Sequence, residues 1–142
     1  MTNCNRVFVY GTLMRGQRAH HLLAGGRCLG AFVLENYAMH HLGRYPGIKP
    51  CPGERVYGEV YEVDDDAVEQ MDRYEGNGSL YNRVCARAVC PERMVEVQVY
   101  VYGQSVEGMP LMPEPWGGWN PEFARLADLA RAVSKESPEG KE

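Results

Sequence analysis

Lysine is scarce in this chain: three stand against twelve arginines among 142 residues. The arginines are scattered rather than gathered into a stripe, and the formal net charge is -4. Phosphate backbones are held by clustered cations, so no nucleic-acid partner is expected and the arginines read as surface charge. Paired cysteines are missing as well. Cys4, Cys28, Cys51, Cys85 and Cys90 are an odd set without a C-x-x-C, which disfavours both a zinc site and a secreted disulfide scaffold. No apolar run reaches membrane-spanning length, so no membrane partner is expected. Thr2 to Arg6 lead straight into a short strand rather than into the apolar core of a signal peptide. The expectation is a cytoplasmic protein with reduced thiols. There is no H-E-x-x-H, and the pairs His20-His21 and His40-His41 each offer at most one ligand, since adjacent side chains point different ways. No metal site is expected.

What is present is ordinary for a soluble domain: 44% apolar and 24% charged residues, in a length that suits a single folded unit. Arg6 to Tyr10 reads as a buried strand, followed by a glycine loop and a short helix from about Gln17 to Leu23. Ala31 to Leu42 is extended and closes in the turn-prone "RYPGIKPCPG", Arg44 to Gly53. In "RVYGEVYEV", Arg55 to Val63, the residues Val56, Gly58 and Val60 alternate with Tyr57, Glu59 and Tyr61, a strand with two differently used faces. Asp64 to Asp66 then supply N-cap and first-turn carboxylates for a helix carrying Ala67, Val68 and Met71 on one face,. Gly76, Asn77 and Gly78 end it near Tyr74 and Glu75,. Tyr81 to Cys90 and Arg93 to Tyr102 form a hairpin, Gly103 to Pro121 reads as irregular, and Glu122 to Val133 as an amphipathic helix,. The spacing thus predicts one domain over 1–133 with a polar, disordered tail over 134–142. Five or six strands with three short helices and no internal repeat do not alternate as a doubly wound sheet does. An α+β fold with a mostly antiparallel curled sheet or small barrel fits better.

Two stretches carry candidate chemistry. In "VFVYGTLMRGQRAHHLL", Val7 to Leu23, Gly11 and Gly16 stand five apart as in a phosphate loop, but Gln17 and Arg18 occupy the positions of the required Lys and Ser/Thr,. Successive backbone N–H groups after a strand still form a concavity that suits anions, carboxylates included. Gly11 would let a ligand approach the backbone and Thr12 would add a hydroxyl; the plain alternative is a strand-to-helix turn. In "DRYEGNGSLYNR", Asp72 to Arg83, Glu75 sits at a helix C-terminus, where the macrodipole opposes a negative charge,. Partial desolvation by Tyr74 and Tyr81 would raise its pKa toward what a general base needs at neutral pH. The plain alternative is a solvated helix-end Glu. Asp72 competes as a carboxylate but reads as a capping or surface partner. Nine tyrosines against three phenylalanines hint at a hydroxyl-rich pocket, though tyrosine is also an ordinary strand residue.

Taken in order, "YGTL" at Tyr10 to Leu13, "VYGEVYEV" leading into a helix, then "DRYEG" and "YNR" resemble the γ-glutamylcyclotransferase-like family, over about Val7 to Tyr102. The resemblance implies a small α+β barrel and a cofactor-independent cyclisation of a γ-glutamyl amide to 5-oxoproline, with release of an amine or amino acid. It implies that Tyr10, Gly11, Thr12 and Leu13 hold the γ-glutamyl head, chiefly through backbone groups. It also implies that Glu75 is the general acid/base and that Tyr81 and Tyr100 line the site. The segment Gln104 to Trp119 does not map onto the family and is expected beside the leaving group. A non-catalytic module that binds the same head, and an amide hydrolase or lyase using the same carboxylate, are the alternatives.

Overall fold

The computed structural model describes residues 5–136, with side chains described through residue 128. Five strands, β1 (Asn5–Val9), β2 (Arg27–His41), β3 (Pro46–Val63), β4 (Tyr81–Cys90) and β5 (Arg93–Tyr102), close into a barrel in the order β1-β3-β2-β4-β5. All neighbouring pairs are antiparallel except β1 and β5, which meet in parallel through Val7 and Gln98. Helix α1 (Asp65–Glu75) follows β3, and helix α2 (Pro121–Glu136) ends the described chain. The mostly antiparallel α+β barrel agrees with the sequence reading.

The two faces of β3 explain how the barrel fills. Val56 and Val60 join Phe8, Phe32, Leu34 and Val99 in a cluster drawing on all five strands. Tyr57 and Tyr61 turn the other way, toward Val68 and Met71 of α1 and Phe123 and Leu126 of α2. Each face is buried, so the period of two separates two apolar clusters rather than core from solvent. Gly58 between them has no room for a side chain: a Cβ there would lie 2.3 Å from the Val9 carbonyl oxygen and 2.7 Å from the Phe8 ring.

Three expectations are corrected. The Pro- and Gly-rich stretch from Arg44 is not a turn throughout. The chain reverses over 42–45, where the Leu42 N–H donates to the Tyr45 carbonyl (3.0 Å), and Pro46 to Pro50 already pair with His41 to Tyr37. Pro46 and Pro50 lie four residues apart, so their missing donors fall on one side of the strand, where a ladder with β2 does not need them. The helix expected from Gln17 is a series of turns ending in a 3-10 segment, His20–Leu23, because the carbonyls of Met14 and Thr12 accept the N–H groups of Gln17 and Ala19. Helix α2 continues through Glu136, three residues into the expected tail; the rest of that tail lies outside the described residues.

Candidate active site

Helix α1 is built to stop at Glu75. The Asp64 side chain caps its start by accepting from the Ala67 N–H (2.9 Å). Gly76 ends it in the left-handed region (φ 64°, ψ 50°) with its N–H turned back to the Arg73 carbonyl (3.3 Å), the C-terminal geometry that glycine adopts most readily. A further anchor sits one turn before Glu75. Arg83 of β4 donates twice to the Asp72 carboxylate, Nε to Oδ1 at 2.9 Å and Nη2 to Oδ2 at 3.1 Å, and Tyr100 of β5 donates its hydroxyl at 2.6 Å. Arg83 and Tyr100 are direct cross-strand partners, so one carboxylate binds the helix end to two strands at once. Arg83 also donates to Gln98 Oε1 through Nη1. Burial alone would raise the Asp72 carboxyl, but the hydrogen bonds from Arg83 and Tyr100 hold it below its ordinary value,. The sequence reading took Asp72 for a capping or surface partner; the Arg spaced eleven residues on, in "YNR", was its available signal.

The glycine loop packs against the same helix end. Thr12 Oγ1 and the Tyr74 hydroxyl share a hydrogen bond of 2.8 Å. Gly11 is a glycine because of Pro46: a Cβ at position 11 would lie 2.6 Å from Pro46 Cγ. Close approach of protein, rather than of ligand alone, therefore fixes this residue. Gly16 takes φ +84° and serves a turn. The loop is held from beneath by Glu59, a buried carboxylate that accepts from the Arg15 N–H (3.0 Å) and the Tyr61 hydroxyl (2.9 Å). Sequence reading placed Glu59 only on a strand face. His20 Nδ1 lies 3.0 Å from the Leu13 carbonyl oxygen, which gives one of the conspicuous histidines a loop-bracing place. Among the described residues no acceptor is paired with the N–H groups of Gly11, Thr12 and Leu13, leaving successive donors of the kind that hold anions.

These pieces enclose a cavity of about 230 Å3 lined by Tyr10, Gly11, Thr12, Leu13, Glu75, Tyr81 and Tyr100. The seven residues that the family resemblance assigns to the site are thus brought to one place. Tyr74, expected to help desolvate Glu75, also lines it, as do Arg18, Tyr45, Pro46 and Leu80, which were not foreseen as site residues. No residue of 104–119 does; that segment instead docks on β2, with the Met112 N–H donating to the Met39 carbonyl (2.8 Å). The Tyr10 hydroxyl donates to the Tyr100 carbonyl (2.6 Å) and the Tyr81 hydroxyl to the Pro46 carbonyl (2.7 Å). Burial pushes the hydroxyls of Tyr10, Tyr81 and Tyr100 well up, so all three are neutral donors at any working pH. Burial also raises the Glu75 carboxyl to about 7, where it can both take and return a proton near neutrality. Among the described residues no side chain donates to that carboxylate, so nothing offsets its loss of water.

Comparison with known proteins follows the same residues. Residues 7–120 match the family described as Gamma-glutamyl cyclotransferase, AIG2-like. The chain is 34% identical over 114 residues to the γ-glutamylcyclotransferase family protein YtfP of Escherichia coli K12, covering 80% of this chain and 95% of that one. It is 40% identical over 88 residues to γ-glutamylaminecyclotransferase of Bos taurus, with 54% and 52% covered. The crystal structure of an AIG2-like protein from Mus musculus superposes with a TM-score of 0.71 at 25% identity, over 83% of this chain and 89% of that one. The solution structure of E. coli YtfP gives 0.61 at 32% identity, over 83% and 98%. By sequence over most of its length and by fold, the chain belongs to the γ-glutamyl cyclotransferase, AIG2-like family.

Proposed function

We propose that this protein cyclises a γ-glutamyl amide to 5-oxoproline, with Glu75 as general acid/base and no cofactor. The carrying observation is that the Glu75 carboxyl, raised to about 7, lines the same cavity as the loop Tyr10 to Leu13. The unpaired loop amides would take the α-carboxylate of the γ-glutamyl head. At neutral pH its α-amine is an ammonium and cannot attack. Ionised Glu75 removes one proton, the amine adds to the γ-carbonyl carbon, and the tetrahedral intermediate collapses as the C–N bond of the amide breaks. Glu75 returns that proton to the departing nitrogen, which leaves as a neutral amine. It then takes the second proton from the ring nitrogen and passes it to water, so that the lactam is neutral and Glu75 is ionised again. The reaction is intramolecular, so the protein needs chiefly to fold the head back on itself and to handle protons. Tyr81 and Tyr100 would form the wall against which the head folds.

The test is Glu75→Gln offered a panel of γ-glutamyl amides. Turnover to 5-oxoproline should fall at least about 100-fold, the range general acid/base residues supply, while calorimetry still registers ligand binding. A variant with wild-type turnover would remove Glu75 from the chemistry. Binding without turnover in the unaltered protein would favour the ligand-binding module.

A further inference from the structure

One full positive charge on the cavity wall is left over by this mechanism. Arg18 lines the cavity and lies exposed, while Gly11, Thr12 and Leu13 are buried, so it stands at the mouth and they form the floor. Among the described residues its only hydrogen bond is a long one, Nη2 to the Arg44 carbonyl at 3.4 Å, and no carboxylate within ion-pair distance accompanies it. Nor does it neutralise Glu75, whose carboxyl stays raised by burial. Apart from Thr12 and Glu75 the lining offers no other polar or charged side chain than tyrosine hydroxyls, and Phe8, Val9, Tyr45, Pro46 and Leu80 make much of the wall aromatic or apolar.

A bound γ-glutamyl head brings one ammonium and one carboxylate, met by Glu75 and by the loop amides. The part of the substrate that remains for the mouth is the departing group. We propose that Arg18 is a specificity-determining residue that selects γ-glutamyl amides whose departing group carries an anion, such as a free carboxylate, over neutral and cationic amines. This rests on the cyclotransferase reading above. A guanidinium can meet a carboxylate with two parallel N–H donors, whereas a departing ammonium would face it as a like charge.

The experiment compares kcat/KM for γ-glutamylglycine, γ-glutamylmethylamide and γ-glutamylethylenediamine in the full chain, the Arg18→Gln variant and the Arg18→Lys variant. Their binding is measured in parallel by calorimetry. The unaltered protein should favour the glycine amide over the methylamide by about fivefold, the scale of a partly exposed ion pair, and should disfavour the diamine. Arg18→Gln should bring the glycine and methylamide values within about twofold, and Arg18→Lys should keep most of the preference. Raising the salt from 0.05 to 0.5 M should narrow the same ratio in the unaltered protein, which needs no variant to fold. A ratio that survives Arg18→Gln overturns the proposal, as does one indifferent to salt. If no amide yields 5-oxoproline, the cyclotransferase reading fails. The ratio of dissociation constants then decides the role of Arg18 alone, and equal or undetectable binding overturns it.

Discussion

Glu75 carries opposite consequences for stability and for activity. Its carboxyl titrates near 4.5 in an unfolded chain and near 7 in the fold. The folded state therefore holds a proton that the unfolded state has released between those values, and stability falls as pH rises through that window. Above about pH 7 the fold bears the full cost of a desolvated charge, on the order of 3 kcal/mol at most from a shift of this size,. Glutamine has the same shape and cannot ionise. Glu75→Gln should thus be more stable than the unaltered protein at pH 8 and equal to it near pH 4, as urea unfolding at the two pH values would register. Activity has the reverse sign, because the base must be ionised to accept the ammonium proton. The acid limb of kcat/KM should rise with unit slope to a midpoint near pH 7,. A profile already flat from pH 5 upward would count against Glu75 as the base.

At the level of elements, α1 and the β4–β5 hairpin act as one unit because Asp72 receives both Arg83 and Tyr100. The pair is about one-quarter exposed, so its charge-assisted bonds are worth less than fully buried ones, and Asp72→Asn should cost about 1–2 kcal/mol at pH 7. The Asp72 carboxyl is held below its ordinary value, so its contribution is present above about pH 4 and is lost on acidification through the folded value. Unfolding curves of the variant and the unaltered protein should converge below that range. Asp72 touches no reacting atom in this scheme; it fixes where α1 ends. Its loss should lower kcat about tenfold through misplacement of Glu75 and leave the acid limb of the pH profile near 7. Movement of that limb by a full unit would mean instead that Asp72 shares the titration. The loop is braced independently, by Glu59 beneath it and by Pro46 against Gly11, so the variant should retain ligand binding.

For the molecule as a whole, what could be read from the chain was whatever depends on near neighbours. The alternation in β3, the Asp64 cap and the Gly76 stop of α1 are local rules, and each holds in the fold. "YGTL" and "DRYEG" could be joined across sixty residues only through the resemblance of their order. The barrel that joins them is a product of long-range pairing. Position-dependent features stayed hidden for the same reason. Pro46 looks like a turn former until a ladder partner tolerates its missing N–H, and only then does it become the residue that packs on Gly11. Arg18 looks like one of many surface cations until the loop folds it to the cavity mouth. Glu59 looks like the solvent face of a strand until helices cover that face.

The barrel's closing contact has a further meaning. β1 and β5 share a single parallel pairing, where β2 and β4 share two and the other ladders five or more, and the Tyr10 hydroxyl reaches across to the Tyr100 carbonyl at the same join. The ligand cavity straddles this join, since Tyr10 through Leu13 follow β1 and Tyr100 belongs to β5. A bound γ-glutamyl head would therefore act as a clasp on the cylinder. A γ-glutamyl amide bound to Glu75→Gln should slow hydrogen exchange along the facing edges of β1 and β5 more than in the β2–β3 ladder. Occupancy of the pocket and closure of the fold would then be two measures of one event.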